Sequence, residues 1–139
     1  MTHPYPGNGP DRRDTPATHE LPAGADPTGE TPYVYVLVRA DIPFAQQAVQ
    51  VGHAALEAGF RFEQPNKIAN LILLSVPDEA RLEAAARRLS LRGIAHHLFF
   101  EPDFGMGYSA LATQPLLSKK DRQVLRKYPL FGVLSSPAS

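Results

Sequence analysis

Tyr33-Val34-Tyr35-Val36-Leu37-Val38-Arg39-Ala40-Asp41-Ile42-Pro43-Phe44 is the stretch on which the fold turns. Its first half is a β-branched and aromatic run, the composition of a strand buried on both faces. Pro43 suits the start of a helix, and the residues from Phe44 to about Phe62, rich in Ala, Gln and Glu, read as that helix. Its small residues Ala48, Gly52, Ala55 and Gly59 fall on one face, which is expected to lie close against a sheet.

The same alternation continues outward. Asn70 to Val76 is a second apolar strand, followed by a helix from Pro77-Asp78-Glu79 to about Leu91. Leu82, Ala85, Ala86 and Leu89 form its apolar stripe, acidic residues occupy its first turn, and Gly93 ends it. A third strand is expected from about Ile94 to Glu101 and a fourth from Ser109 to Leu116. A last helix is expected from Ser118, its cap, to Tyr128, where Pro129 stops it. The order β-α-β-α-β-β-α implies an α/β three-layer sandwich: a mixed four-stranded sheet with helices on both faces.

The chain has 139 residues, the length of one domain with one core. Residues 1–32 hold seven of the fourteen prolines and almost no large aliphatics, so they read as a disordered arm, either passive or a docking segment, before a domain at 33–139. The arm carries two basic and five acidic residues, leaving the domain a mild excess of three positive charges. That excess is compatible with a polyanionic partner without demanding one. No apolar run approaches the roughly 20 residues of a membrane span, and the start lacks a signal-peptide pattern, so a cytoplasmic location is expected. With no cysteine, disulfides, thiolate zinc sites and a Cys nucleophile are excluded.

Two places can carry chemistry. On the first helix Gln46, Gln50, His53 and Glu57 form a polar stripe, which reads either as a solvated face or as a site. His53 stands out because Gly52, Ala54 and Ala55 leave its imidazole accessible as a general base or proton shuttle. At the end of the third strand, Glu101-Pro102-Asp103-Phe104-Gly105-Met106-Gly107-Tyr108-Ser109 gathers two carboxylates and a hydroxyl where α/β sheets often bind ligands, though an ordinary turn has the same composition. Its glycines do not open a helix, so a dinucleotide fingerprint is rejected, and no metal site is assigned. Lys119, Arg122 and Arg126 share a stripe on the last helix that either follows a phosphate backbone or solubilises the surface. Phe60, Phe62, Phe99 and Phe100 serve the core or a homodimer interface.

These residues resemble the type 2 peptidyl-tRNA hydrolase family, particularly its small phage and bacterial members. Val38-Arg39-Ala40-Asp41-Ile42 matches the family's V-R-x-D-L, Gln50-Val51-Gly52-His53-Ala54-Ala55 matches its Q-x-x-H-A-A, and Ser109 to Pro115 matches its closing strand. The resemblance implies cleavage of the ester joining a peptidyl or aminoacyl group to tRNA, with tRNA as partner and no cofactor. It carries Gln50, His53 and Ser109 onto the family's site and puts Glu101 roughly at a site aspartate. The expected roles are His53 as base or water positioner, Glu101 and Asp103 as orienters, Gln46, Gln50 and Ser109 as substrate contacts, and Lys119, Arg122 and Arg126 on the tRNA backbone. The family's lysine four residues before Gln50 is Gln46 here. Losing that charge favours the alternative, a domain that binds RNA or a protein without turnover.

Overall fold

The computed structural model describes residues 30–132. Most of the predicted arm, with its expected disorder, therefore lies outside the described residues. The domain's pairing starts one residue earlier than expected: Pro32 is buried, and its carbonyl accepts a hydrogen bond from the Asn70 amide.

The apolar run that decided the fold is β1, Tyr33–Arg39, with Val36, Leu37 and Val38 fully buried. Such a strand needs cover on both faces, and the chain supplies it. It continues through α1 (Phe44–Arg61), β2 (Asn70–Val76), α2 (Glu79–Leu91), β3 (His96–Glu101), a 3-10 turn (Asp103–Gly105), β4 (Gly107–Thr113) and α3 (Lys119–Gln123). The sheet order is β2-β1-β4-β3. β1 and β2 are parallel over their full length, from Tyr33↔Asn70 to Arg39↔Val76, with α1 as the crossover such a pair requires. β4 runs antiparallel to both β1 and β3, so the sheet is mixed as expected.

Two apolar layers follow from the alternation of β1. Val36 and Val38 meet Ala54 and Ala58 of α1 together with Ala110 and Ala112. Leu37 points the other way, into a larger core with Leu82 and Leu89 of α2 and with Val124 and Leu125 beyond α3. Burying each leucine contributes about 1.5–3 kcal/mol, which makes this the larger of the two layers in energy as well as in size.

Several boundaries differ from expectation for identifiable reasons. β3 starts at His96 because Ile94 belongs to the end of α2: Gly93, at φ +71°, turns the chain so that the Ile94 amide donates to Leu89 O. β4 runs from Gly107 to Thr113 because Pro115 offers no amide to a ladder, leaving Leu116 in a lone bridge to Tyr33. The last helix is Lys119–Gln123 and does not reach Tyr128. After Gln123 the hydrogen bonds tighten to a three-residue span, as in Leu125 N to Arg122 O, which turns Val124 and Leu125 into the core. Leu130 then bridges Leu74 on the outer side of β2.

The largest correction concerns which way α1 faces. Its small stripe is not the face laid on the sheet, since Ala48, Gly52 and Gly59 are exposed and only Ala55 packs, half-buried, at the edge of the core. The buried face is Gln47, Gln50, Ala54 and Ala58. Two glutamines go inward because their amides are satisfied there. Gln47 Nε2 donates to Ile42 O at 2.9 Å, and Gln50 is bonded on both ends of its amide. None of the described helices is long and apolar enough to cross a membrane.

Candidate functional site

α1 crosses the sheet antiparallel to the edge strand β3, and two contacts set the register. Gln50 Nε2 donates to Glu101 Oε1 at 3.0 Å and the His53 ring stacks on Phe99, with Glu57 further along near enough to His97 to act on its charge. The seam between α1 and β3 therefore holds the polar residues of the predicted stripe and the acidic end of the third strand together.

A β-bulge makes this possible. Phe99 pairs with Ala110 and Phe100 with Tyr108, so Ser109 is an extra residue on β4. Alternation alone would send Ser109 and Ala110 to opposite faces. The bulge lets both face α1, where Ala110 packs in the core and Ser109 Oγ donates to Gln50 Oε1 at 2.5 Å. Gln50 is wholly buried and relays between the hydroxyl and the carboxylate. Only Oε1 of Glu101 is bonded among the described residues. Its other oxygen keeps contact with solvent.

His53 is exposed and lies parallel to the Phe99 ring, with centroids 4.7 Å apart and 4° between planes. Stacking fixes the ring's plane, and among the described residues neither ring nitrogen has a hydrogen-bond partner. His53 sits three residues along α1 from Gln50, and Phe99 two residues along β3 from Glu101, so the two groups follow one another along the seam at a backbone spacing of about 5–7 Å. Gln46 is half-buried at the end of this seam, where its Oε1 accepts weakly from Gln50 at 3.4 Å and its amide nitrogen remains a free donor.

Other expected site residues lie elsewhere. Asp103 is exposed on the turn beyond Pro102 and bonds to nothing in the seam. Lys119, Arg122 and Arg126 belong to the opposite layer: Arg122 stacks over Tyr33 at 4.1 Å, while Val124 and Leu125 pack against α2. The structure does not bring these cations to His53. Arg87 and Arg88 of α2 and Arg92 just after it share that layer, and among the described residues none of the six cations forms an ion pair.

Two roles were not read from the sequence. Burial and the nearby Arg61 hold the His97 pKa below its usual value, against a smaller opposing effect of Glu57. Arg39, at the end of β1, donates to Asp41 through two nitrogens and to Met106 O and Tyr108 O through Nη1, fastening the β3–β4 turn. The adjacent pair Arg39 and Asp41 was the available signal for this clamp. Glu79 accepts from the Tyr108 amide on the same side. Among the described residues no group of three or more His, Asp or Glu could hold a metal. Cavities of about 450 and 390 Å³ lie against α2 and at the far end of α1, and neither is lined by His53 or Glu101.

No family model matches the chain, and no curated protein does. Among solved structures, a protein of unknown function from Agrobacterium tumefaciens strain C58 is similar, with a TM-score of 0.52 and 14% identity. The match covers 71% of this chain and 96% of that one. At that identity the likeness is one of fold, and the chemistry must be argued from the residues of the α1–β3 seam.

Proposed function

We propose that the α1–β3 seam is the site of a cytoplasmic hydrolase that cleaves the ester of peptidyl- or aminoacyl-tRNA. The observation that carries this reading is that one seam holds both groups: the exposed His53 stacked on Phe99 of β3, and Glu101 of the same strand bonded to Gln50 of α1. In this reading the water lies between the imidazole and the unbonded oxygen of Glu101. His53 takes its proton as it attacks the ester carbonyl, Gln46 donates to the oxygen that becomes negative, and the protonated His53 gives that proton to the ribose oxygen as the ester bond breaks. Gln50 and Ser109 hold Glu101 in place. The cations of the α2–α3 layer, on the far side of the sheet, contact the backbone of a tRNA large enough to wrap the domain.

A second reading, binding without turnover, draws support from Gln46, which supplies a neutral donor where the resembling family has a charge. One experiment separates the two. The purified chain is incubated with N-acetyl-aminoacyl-tRNA while released amino acid and bound tRNA are followed independently. Ester release that falls about 100-fold or more in both His53→Ala and Glu101→Gln, with unchanged circular dichroism, is the expected result. Binding without release supports the second reading, and neither binding nor release overturns both. Neutralising Lys119, Arg122 and Arg126 together should flatten the salt dependence of binding and leave the turnover of bound substrate unchanged.

A further inference from the structure

The side of α1 that faces away from the sheet is apolar throughout. Phe44, Val49, Leu56 and Phe60 are 71%, 47%, 54% and 74% exposed. Between them lie Ala45, Ala48, Gly52 and Gly59, also exposed. The helix is thus apolar on both sides, with two glutamines among the alanines toward the core and aliphatics and aromatics toward solvent. Its glycines sharpen the point. A side chain added at Gly52 or Gly59 would meet nothing within 4 Å, and both residues have ordinary helical backbone. Each weakens the helix relative to alanine with no gain inside the chain, whereas close approach of another backbone would use both.

We infer that this face is a two-fold interface between two copies of the chain, with α1 packed antiparallel on α1 around Gly52. The sequence is self-complementary about that centre. Counting eight residues out in each direction pairs Phe44 with Phe60, seven pairs Ala45 with Gly59, and four pairs Ala48 with Leu56. In an antiparallel pair Ala45 and Gly59 lie at the centre of the seam and Ala48 lies level with Leu56, so small residues admit large ones, while Phe60 and Phe44, the latter stacked on Phe131 of its own chain, flank the two edges. No charged side chain points outward from this stripe to oppose a like charge. The four large side chains and the small residues between them offer on the order of 600 Å² per copy, or about 1,200 Å² in total, the lower bound for a specific interface. The two-fold axis perpendicular to both helices keeps the two His53 residues on the same side of the dimer. The inference does not depend on the hydrolase reading.

Sedimentation velocity of the full chain over a concentration series tests it. The wild type should show a reversible monomer–dimer equilibrium, with the heavier species at twice 15.2 kDa. Leu56→Glu and Gly52→Arg should weaken it by at least ~100-fold, because each places two charges in a buried seam. Leu91→Glu, which alters an exposed leucine of α2, should leave it unchanged. The chain has no cysteine, so Gly52→Cys provides a clean second readout: it should oxidise to a covalent dimer, and Leu91→Cys should remain monomeric under the same conditions. A wild-type chain that stays monomeric throughout, or a dimer that survives Leu56→Glu with the fold intact, overturns the inference.

Discussion

Gln50 is a long polar side chain with no solvent exposure, tolerated because its carbonyl accepts from Ser109 and its amide donates to Glu101. The asymmetry of buried hydrogen bonds fixes what its loss would do. Gln50→Leu keeps the volume but strands a hydroxyl and a carboxylate oxygen, so urea denaturation should show a loss of about 2–3 kcal/mol. Ser109→Ala removes one donor and should cost only about 1 kcal/mol in the same measurement. Equal costs would mean that the relay does not hold Glu101. His53 is different in kind, because its stacking on Phe99 is a surface contact and its replacement should leave stability within about 1 kcal/mol.

At the level of the element, each helix is set by a different device. α2 starts at Asp78, whose carboxylate accepts from the Arg81 amide at 2.8 Å, and ends in the Gly93 turn that places Ile94 against Leu89. Asp78→Ala should lower stability by about 1 kcal/mol, read as a shift in urea midpoint without a change in slope. α3 has a good cap in Ser118 but is only five residues long, so its basic stripe is shorter than its spacing suggested. α1 has no capping side chain and no acidic residue in its first turn. It is held by packing along β3 and β4, which is why its orientation follows from its partners and not from its own periodicity.

For the molecule as a whole, acid should act in two separate steps. Burial, then Arg61, lowers the His97 pKa, with His96 adding slightly and Glu57 opposing. A histidine whose folded pKa is depressed favours the fold in its neutral form. That stability is present above about pH 6.5 and is lost as the pH falls below it. Asp41 is held below its usual range chiefly by its hydrogen bond to Arg39, so its contribution persists to lower pH and is lost below about pH 4. Calorimetric Tm against pH should therefore show a shallow step near neutrality that His97→Gln removes, and a lower one that Asp41→Asn removes. A near-neutral step that persists in His97→Gln would assign it to another group.

The architecture was legible because continuous β-branched strands alternating with helices leave few ways to bury both faces of β1. Pro43, Asp78, Gly93 and Ser118 act locally, so they could be read one residue at a time. Ile94 and Leu116 were read as strand because sequence shows apolar character and not which carbonyl an amide meets. The two halves of the candidate site could each be named, but not the bulge at Ser109 that joins them, since an extra residue in a ladder is visible only once its partner strand is in register. Sequence by itself determined the order of the elements and the mixed sheet they form, and it named the candidate residues. The tertiary structure alone decided which side of α1 is inside, because helical periodicity defines faces without directions, and only the waiting partners Glu101, Ser109 and Ile42 O make it favourable to bury glutamines and leave phenylalanines in solvent.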